Sequence, residues 1–201
     1  MSDLKVQVAA RYAEVNGEHP MTSADDAYVD KYFVPLGDLC ERKSISVDTI
    51  RRSMLDGQLP LPSYLRSDGT EMVPPDLLDL SEQAGGVGRL RGWFLAHWTD
   101  GGEAAAEWEG YLSGQNVCLR VVTPQTLRRK SYLVDAISQA AEPAEPGESP
   151  GWLAELHALV DELDELELPF TRYDRLRFGK PVSRDTHIDA IRERYPRPPE
   201  L

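Results

Sequence analysis

Two short amphipathic patterns joined by a turn of a few residues place the strongest constraint on how this chain folds. The apolar positions are Leu36, Leu39 and Cys40 in the first pattern, and Val47, Ile50, Met54 and Leu55 in the second. Ser46 precedes the second pattern as an N-cap, and Gly57 follows it as a C-terminal stop. Helices this short and this close have the spacing of a helix-turn-helix, which commonly presents the polar face of its second helix outward.

A β-hairpin is predicted directly after the second helix. Asp68-Gly69 lies between two short extended runs, and this dipeptide favours a tight hairpin turn. The segment from Leu36 to Val73 resembles the winged helix-turn-helix of MerR-type regulators and phage excisionases. The residues that carry the resemblance are Leu36, Leu39, Ser46, Thr49, Ile50, Arg51, Gly57, Leu59 and Pro60. The resemblance implies a DNA-binding fold over about a fifth of the chain and transfers no specific activity.

The chain as a whole also resembles an actinobacterial family of unknown function. The resemblance is carried especially by residues 57–64, 68–74 and 173–184. This second resemblance implies one coherent full-length unit, and it brings no assigned activity with it.

Helix signals recur along the rest of the chain, so we predict a mainly α protein. Helix starts are marked by Thr22 or Ser23, Thr123-Pro124, Ser149-Pro150 and Ser183. The predicted architecture is an N-terminal winged helix-turn-helix-like unit with one small β-hairpin, packed on a C-terminal helical domain. Residues 1–80 form the first part and residues 81–201 the second, unless both share one continuous core. Residues 142–149 are expected to be an exposed linker.

The formal net charge of −12 disfavours non-specific binding to nucleic acid. Acidic and basic residues are partly segregated, with nine Asp or Glu in residues 142–167 and eight Lys or Arg in residues 172–197. We expect these two segments to be solvated and to neutralise each other in part. Cys40 and Cys118 lie far apart in apolar stretches, which predicts buried thiols and neither a disulfide nor a zinc site.

The sequence has no secretory signal and no apolar run long enough to span a membrane, so we expect a cytoplasmic protein with no membrane partner. The 4 histidines are scattered, and we expect neither a metal centre nor a cofactor. No nucleophile motif is present, so we name no catalytic residues and lean against an enzyme.

Nucleic-acid binding is the leading functional hypothesis, because a fold element supports it. Arg51 and Arg52 lie on the second helix of the helix-turn-helix and Arg66 lies near the hairpin tip, and arginine suits phosphate and guanine contacts. Five Lys or Arg face six Asp or Glu in residues 35–73, whereas DNA-binding surfaces usually show a basic excess. The hypothesis is a transcription regulator that binds double-stranded DNA, with the helical domain serving homodimerisation or ligand sensing.

Two other functional classes stay open. A small-molecule-binding protein or biosynthetic enzyme would use an anion site before the last predicted helix, built from Arg175, Arg177, Lys180 and Arg184. These cations would otherwise pair with the acidic helix or with solvent. A protein-interaction module would use the leucine stripe in residues 152–166. The aromatic residues of the segment 93–111 recur at helical spacing and are expected in the core.

Overall fold

The computed structural model describes residues 3–142 and 150–197, which are mainly α-helical with one small three-stranded antiparallel sheet. The fold class predicted from the sequence is confirmed. The described chain forms two compact units. The N-terminal unit contains the described residues up to Val117 together with Thr171–Arg177, and the C-terminal unit contains Cys118–Phe170 and the described residues from Phe178 onward. The division expected at residue 80 stays a prediction about domain organisation, and the expected linker lies outside the described residues except for Glu142.

The helices and strands follow one another in chain order. They are α1 (Asp3–Asn16), α2 (Ser23–Tyr32), β1 (Val34–Pro35), α3 (Leu36–Lys43), α4 (Val47–Leu55), β2 (Tyr64–Leu65), β3 (Glu71–Val73), α5 (Asp79–Gln83), α6 (Val87–Leu95), α7 (Gly101–Leu112), α8 (Pro124–Ala141), α9 (Pro150–Leu166), α10 (Arg172–Phe178), a π-helical turn (Arg184–Asp189) and α11 (Ala190–Arg194). No helix among the described residues combines the length and the apolar character that crossing a bilayer requires.

The sheet of the N-terminal unit has the strand order β1-β3-β2, with both pairings antiparallel. The predicted hairpin corresponds to β2 and β3, and Gly69 occupies the turn with a φ of +78° that glycine adopts without strain. The sequence predicted one hairpin only, so β1 is an addition. Val34 pairs with Val73, and the two-residue strand is defined by this pairing.

The two helices of the helix-turn-helix pattern are present as α3 and α4. Ser44 ends α3 in the left-handed conformation, with a φ of 54°, and Ser46 occupies the N-cap of α4 without a side-chain capping bond. Ile50 and Met54 on α4 are buried, and α1 packs against α4. Neighbouring helices therefore cover part of the surface of α4.

The core of the C-terminal unit lies between α8, α9 and the π-helical turn. Thr123 forms a capping box with Thr126 at the start of α8, as the Thr-Pro signal predicts. The fully buried residues of the core are Leu133, Ile137, Leu156, Val160, Leu163 and Ile188. The leucine stripe of α9 thus contributes to this core, so its central leucines are not a free interaction surface.

The C-terminal segment contains one helix that was not predicted from the sequence and one helix start that was. The arginine-rich stretch from Arg172 forms α10. Ser183 occupies the N-cap position of the last helical segment, as predicted, but its side chain makes no capping bond, and the segment begins with the π-helical turn. The expected charge neutralisation is confirmed, because Arg192 pairs with Asp161 at 2.9 Å and with Asp164 at 2.7 Å.

Candidate functional site

The arginines predicted to contact nucleic acid are largely engaged by carboxylates. Arg51 pairs with Glu71 at 2.6 Å and with Asp48 at 2.8 Å, and its side chain is only 12% exposed. Since Glu71 lies on β3 and is 4% exposed, the guanidinium ties α4 to the sheet. The positive charge of Arg51, which a phosphate contact would need, is therefore already neutralised by carboxylates of the same fold.

The other two predicted arginines differ from each other. Arg66 lies 3.0 Å from Asp30 and 3.8 Å from Asp26, two carboxylates of α2. Arg52 is exposed on α4. The structure thus leaves one solvent-facing arginine of the predicted three, and their role in nucleic-acid binding stays a prediction.

The four residues of the predicted anion site are divided between the two units. Arg175 and Arg177 belong to the N-terminal unit, while Lys180 and Arg184 belong to the C-terminal unit. Arg175 and Lys180 are exposed, and Arg177 is buried. The site as a whole stays a prediction, because each unit carries only part of it.

Arg177 lies at the centre of a buried polar network in the N-terminal unit. Its guanidinium donates to Asp174 at 2.8 Å, to the carbonyl oxygen of Ser63 at 2.8 Å and to the Tyr12 hydroxyl at 3.1 Å. The Tyr64 hydroxyl donates to Asp174 at 3.0 Å, and burial raises the pKa of Tyr12 above its ordinary value. Within the N-terminal unit, the network ties α10 to α1 and to β2 through hydrogen bonds between buried groups.

The C-terminal unit contains a second polar cluster that includes two reactive side chains. We call it the Cys118–Lys130 cluster; its members are Cys118, Lys130, Glu167, Ser183 and Arg184. The Nζ atom of Lys130 lies 2.8 Å from Sγ of Cys118 and 2.9 Å from Oε1 of Glu167. The Ser183 hydroxyl donates to the same Oε1 at 2.5 Å. Thiol, ammonium, carboxylate and hydroxyl groups therefore meet within hydrogen-bonding distance.

Local backbone pairing holds the cluster together. Leu119 and Glu167 form an isolated antiparallel bridge, and the amide of Leu168 donates to the carbonyl oxygen of Cys118 at 2.5 Å. Lys130 projects from α8, and Ser183 directly precedes the π-helical turn. Segments far apart in sequence are thus fixed around one carboxylate.

Burial and the contacts between the charged groups act against each other in the cluster. Glu167 is fully buried, whereas the side chain of Lys130 is 22% exposed. Burial raises the pKa of the Cys118 thiol, against the opposing effect of the Lys130 ammonium. Burial alone lowers the pKa of Lys130, but Cys118 and Glu167 outweigh it and the pKa lies above its ordinary value. At neutral pH the cluster therefore holds a thiol and an ammonium.

Two polar atoms of the cluster have no hydrogen-bond partner among the described residues. They are Oε2 of Glu167, an acceptor, and Nε of Arg184, a donor. Elsewhere on its guanidinium, Arg184 pairs with Asp164 at 2.7 Å and donates to the carbonyl oxygen of Glu167 at 3.4 Å. A buried polar group left unpaired costs about 1–3 kcal/mol, and more when charged. The cluster thus presents one unmet acceptor and one unmet donor.

Sequence reasoning found only part of this cluster. Cys118 was predicted to be a buried thiol, which is confirmed, and Arg184 was named as a candidate anion ligand. Lys130 and Glu167 were missed, because each lies within a run of like charges where no local pattern distinguishes one residue from its neighbours. Ser183 was noticed only as a helix cap.

These observations define a mainly α protein with a small antiparallel sheet and a polar cluster inside its C-terminal helical unit. The chain belongs to a family of unknown function, DUF6058, whose model matches residues 96–196. The matched region includes the whole Cys118–Lys130 cluster and excludes the helix-turn-helix segment. No curated protein and no solved structure matches the chain.

Proposed function

We propose that this protein binds a small polar molecule in its C-terminal unit, at the Cys118–Lys130 cluster. The observation that carries the proposal is the carboxylate of Glu167, which is fully buried while its Oε2 has no partner among the described residues. Buried carboxylate oxygens are normally hydrogen-bonded, and an exception of this kind is typical of a group that receives a ligand or an ordered water.

The unmet groups define the chemistry of the ligand. Glu167 Oε2 requires an N–H or O–H donor, and Arg184 Nε requires an acceptor. A primary carboxamide offers both a donor and an acceptor, whereas a carboxylate offers acceptors only and cannot donate to Oε2 of Glu167. We therefore infer that an amide-containing small molecule is the preferred class. The partial exposure of Lys130 supports access from solvent on one side of the cluster.

The location of the cluster agrees with this proposal. It lies within the region matched by the family model, residues 96–196. The thiol of Cys118 has a raised pKa and is a weak nucleophile at neutral pH. We therefore propose binding as the function and assign no catalytic step.

Matched probes test the preference. Acetamide and benzamide are compared with acetate and benzoate by ligand-observed NMR and by thermal unfolding. At about ten times its dissociation constant a ligand adds about 1.4 kcal/mol of stability, which raises Tm by about 3–6 °C in a chain of this size. We expect the amides to bind and the acids to fail. Binding by neither class, or by the acids equally, would overturn the proposal.

Two variants separate the site from general effects. Glu167→Gln removes the charged acceptor and should abolish the preference for amide over acid. Glu162→Gln is the matched control, because Glu162 is 44% exposed on α9, which ends directly before Glu167, and it pairs with Arg129 outside the cluster. The control should bind as the unmodified protein does.

Nucleic-acid binding is the second proposal, and the order β1-α3-α4-β2-β3 supports it. The charge distribution opposes it, since Arg51 and Arg66 are paired with carboxylates. Fluorescence anisotropy with random duplex DNA at about 50 mM salt is the test, because phosphate attraction is strongest at low salt. Glu71→Gln weakens the engagement of Arg51 and should tighten any binding. No binding by either protein would reject this proposal.

A further inference from the structure

The contact between Cys118 and Lys130 has a chemical consequence that does not depend on what the C-terminal unit binds. The 2.8 Å between Sγ and Nζ is closer than nitrogen and sulfur approach in an ordinary van der Waals contact. The nitrogen of Lys130 thus lies beside a sulfur that peroxide can oxidise. Cys40, the other cysteine, is also buried, but no lysine forms a hydrogen bond with it among the described residues.

We propose that Cys118 and Lys130 form a site of covalent oxidative cross-linking, in which peroxide oxidises the sulfur and the lysine amine captures it. The site is not assigned by membership of the family. It stands on the geometry of these two side chains and their neighbour Glu167, and so it is independent of the proposed ligand.

The reaction balances with hydrogen peroxide as the only added reactant. The first step proceeds through the small fraction of Cys118 that is thiolate at neutral pH, which attacks peroxide. In this step the thiol and peroxide together give the sulfenic acid and one water, with sulfur oxidised and peroxide reduced. In the second step the Lys130 amine attacks sulfur, an S–N bond forms, the S–O bond breaks and a second water leaves. The cross-linked product therefore has two hydrogen atoms fewer than the reduced protein.

Glu167 supplies the proton transfer that the second step needs. Lys130 is held as an ammonium, which is not nucleophilic, so one proton must leave Nζ before the attack. Oε1 of Glu167 lies 2.9 Å from Nζ and accepts this proton, which then passes to the departing hydroxide and completes the water. Ser183 fixes the carboxylate at 2.5 Å during the transfer.

Mass spectrometry of the folded full-length protein after peroxide treatment tests the proposal. Trypsin normally cleaves after Lys130, but a linked lysine resists cleavage, so residues 92–120 and 130–172 should remain joined as one species lacking two hydrogens. Dithiothreitol should separate them. A joined species that retains one oxygen also supports the cross-link, through an N–O–S bridge that consumes a second peroxide and releases three waters in all.

Controls exclude a general oxidation effect. Lys130→Arg preserves the positive charge beside Glu167 without an amine that can capture the sulfenic acid, and Cys118→Ser removes the sulfur; both should lose the joined species completely. Cys40 serves as an internal control within the unmodified sequence and should not become linked to a lysine. Circular dichroism before digestion verifies that each protein is folded.

Two outcomes would overturn the proposal, and both are read in the unmodified sequence. One is a Cys118 peptide that stays reduced at millimolar peroxide while the protein is folded. The other is a Cys118 peptide that carries two or three oxygens with no link to Lys130. Because the readout is the mass of the peptides, failure of amide binding would leave this result unaffected.

Discussion

The buried carboxylate of Asp174 allows a test of how strongly burial sets the energy of an ion pair. Asp174 and Arg177 are separated by 2.8 Å and by three residues, and so are Arg11 and Glu14. The first pair has side-chain exposures of 1% and 0%, and the second has exposures of 59% and 64%. The chemistry and spacing are therefore matched while the environment differs.

Replacing each carboxylate by alanine should give very different losses. Asp174→Ala leaves the guanidinium of Arg177 buried without its counter-ion, which costs about 3–5 kcal/mol. The same change also removes the acceptor of the Tyr64 hydroxyl. Glu14→Ala removes a solvated pair, which is worth about 0.2–1 kcal/mol. We expect the free energy of unfolding of the N-terminal unit to fall by about these amounts.

Urea unfolding followed by tryptophan fluorescence measures the difference. Trp93, Trp98 and Trp108 report on the N-terminal unit, and a Trp152→Phe background removes the signal of the C-terminal unit. With an m-value of about 2 kcal/mol/M, the midpoint should fall by about 1.5–2.5 M for Asp174→Ala and by less than about 0.5 M for Glu14→Ala. Equal shifts would refute the reasoning that burial governs the loss.

Two further predictions concern the backbone and the charges. Gly114→Ala should destabilise the protein by about 1–3 kcal/mol, because Gly114 has a φ of +71° and a Cβ there would lie 2.6 Å from a backbone carbonyl oxygen. In thermal unfolding Gly110→Ala, in open space within α7, should instead gain up to about 1 kcal/mol, and a loss at both positions would contradict the steric argument. Hydrogen bonds from Arg192 and Arg197 outweigh burial and hold the pKa of Asp161 below its ordinary value. The contribution of Asp161 to the free energy of unfolding is therefore fully present above about pH 3.9 and is lost as the pH falls through the lower folded pKa. In an acid titration, Arg192→Ala should therefore lose less stability than the unmodified chain.

Local chemistry made several features of the fold predictable. Thr22 or Ser23, and Thr123, were identified as helix starts from residue type alone, and Thr22 and Thr123 each form the capping box that this position favours. Asp68-Gly69 was identified as a turn for the same reason, since only a few residue pairs accept its backbone conformation. These signals lie within a few residues of one another, and no tertiary contact is needed to recognise them.

Features that depend on distant contacts were not predictable. Nothing in residues 34–35 distinguishes β1 from a loop until β3 lies beside it. Arg177 was named as a candidate anion ligand that would otherwise pair with the acidic helix or with solvent. It is buried instead among hydroxyls and a carboxylate that come from α1, β2 and α10 itself. The Cys118–Lys130 cluster is a further case, because its groups meet only after α8 and α9 have packed.

The position of α10 in the sequence determines when the N-terminal unit can complete its folding during synthesis. The ribosome releases Tyr12 and Ser63 early, yet Arg177, whose guanidinium contacts both of them, is translated after residues 118–170 of the C-terminal unit. The N-terminal unit therefore emerges first from the ribosome but completes its folding last. A fragment that stops before residue 171 should behave as a folding intermediate, because it lacks Arg177, which donates hydrogen bonds to the Tyr12 hydroxyl and the Ser63 carbonyl oxygen.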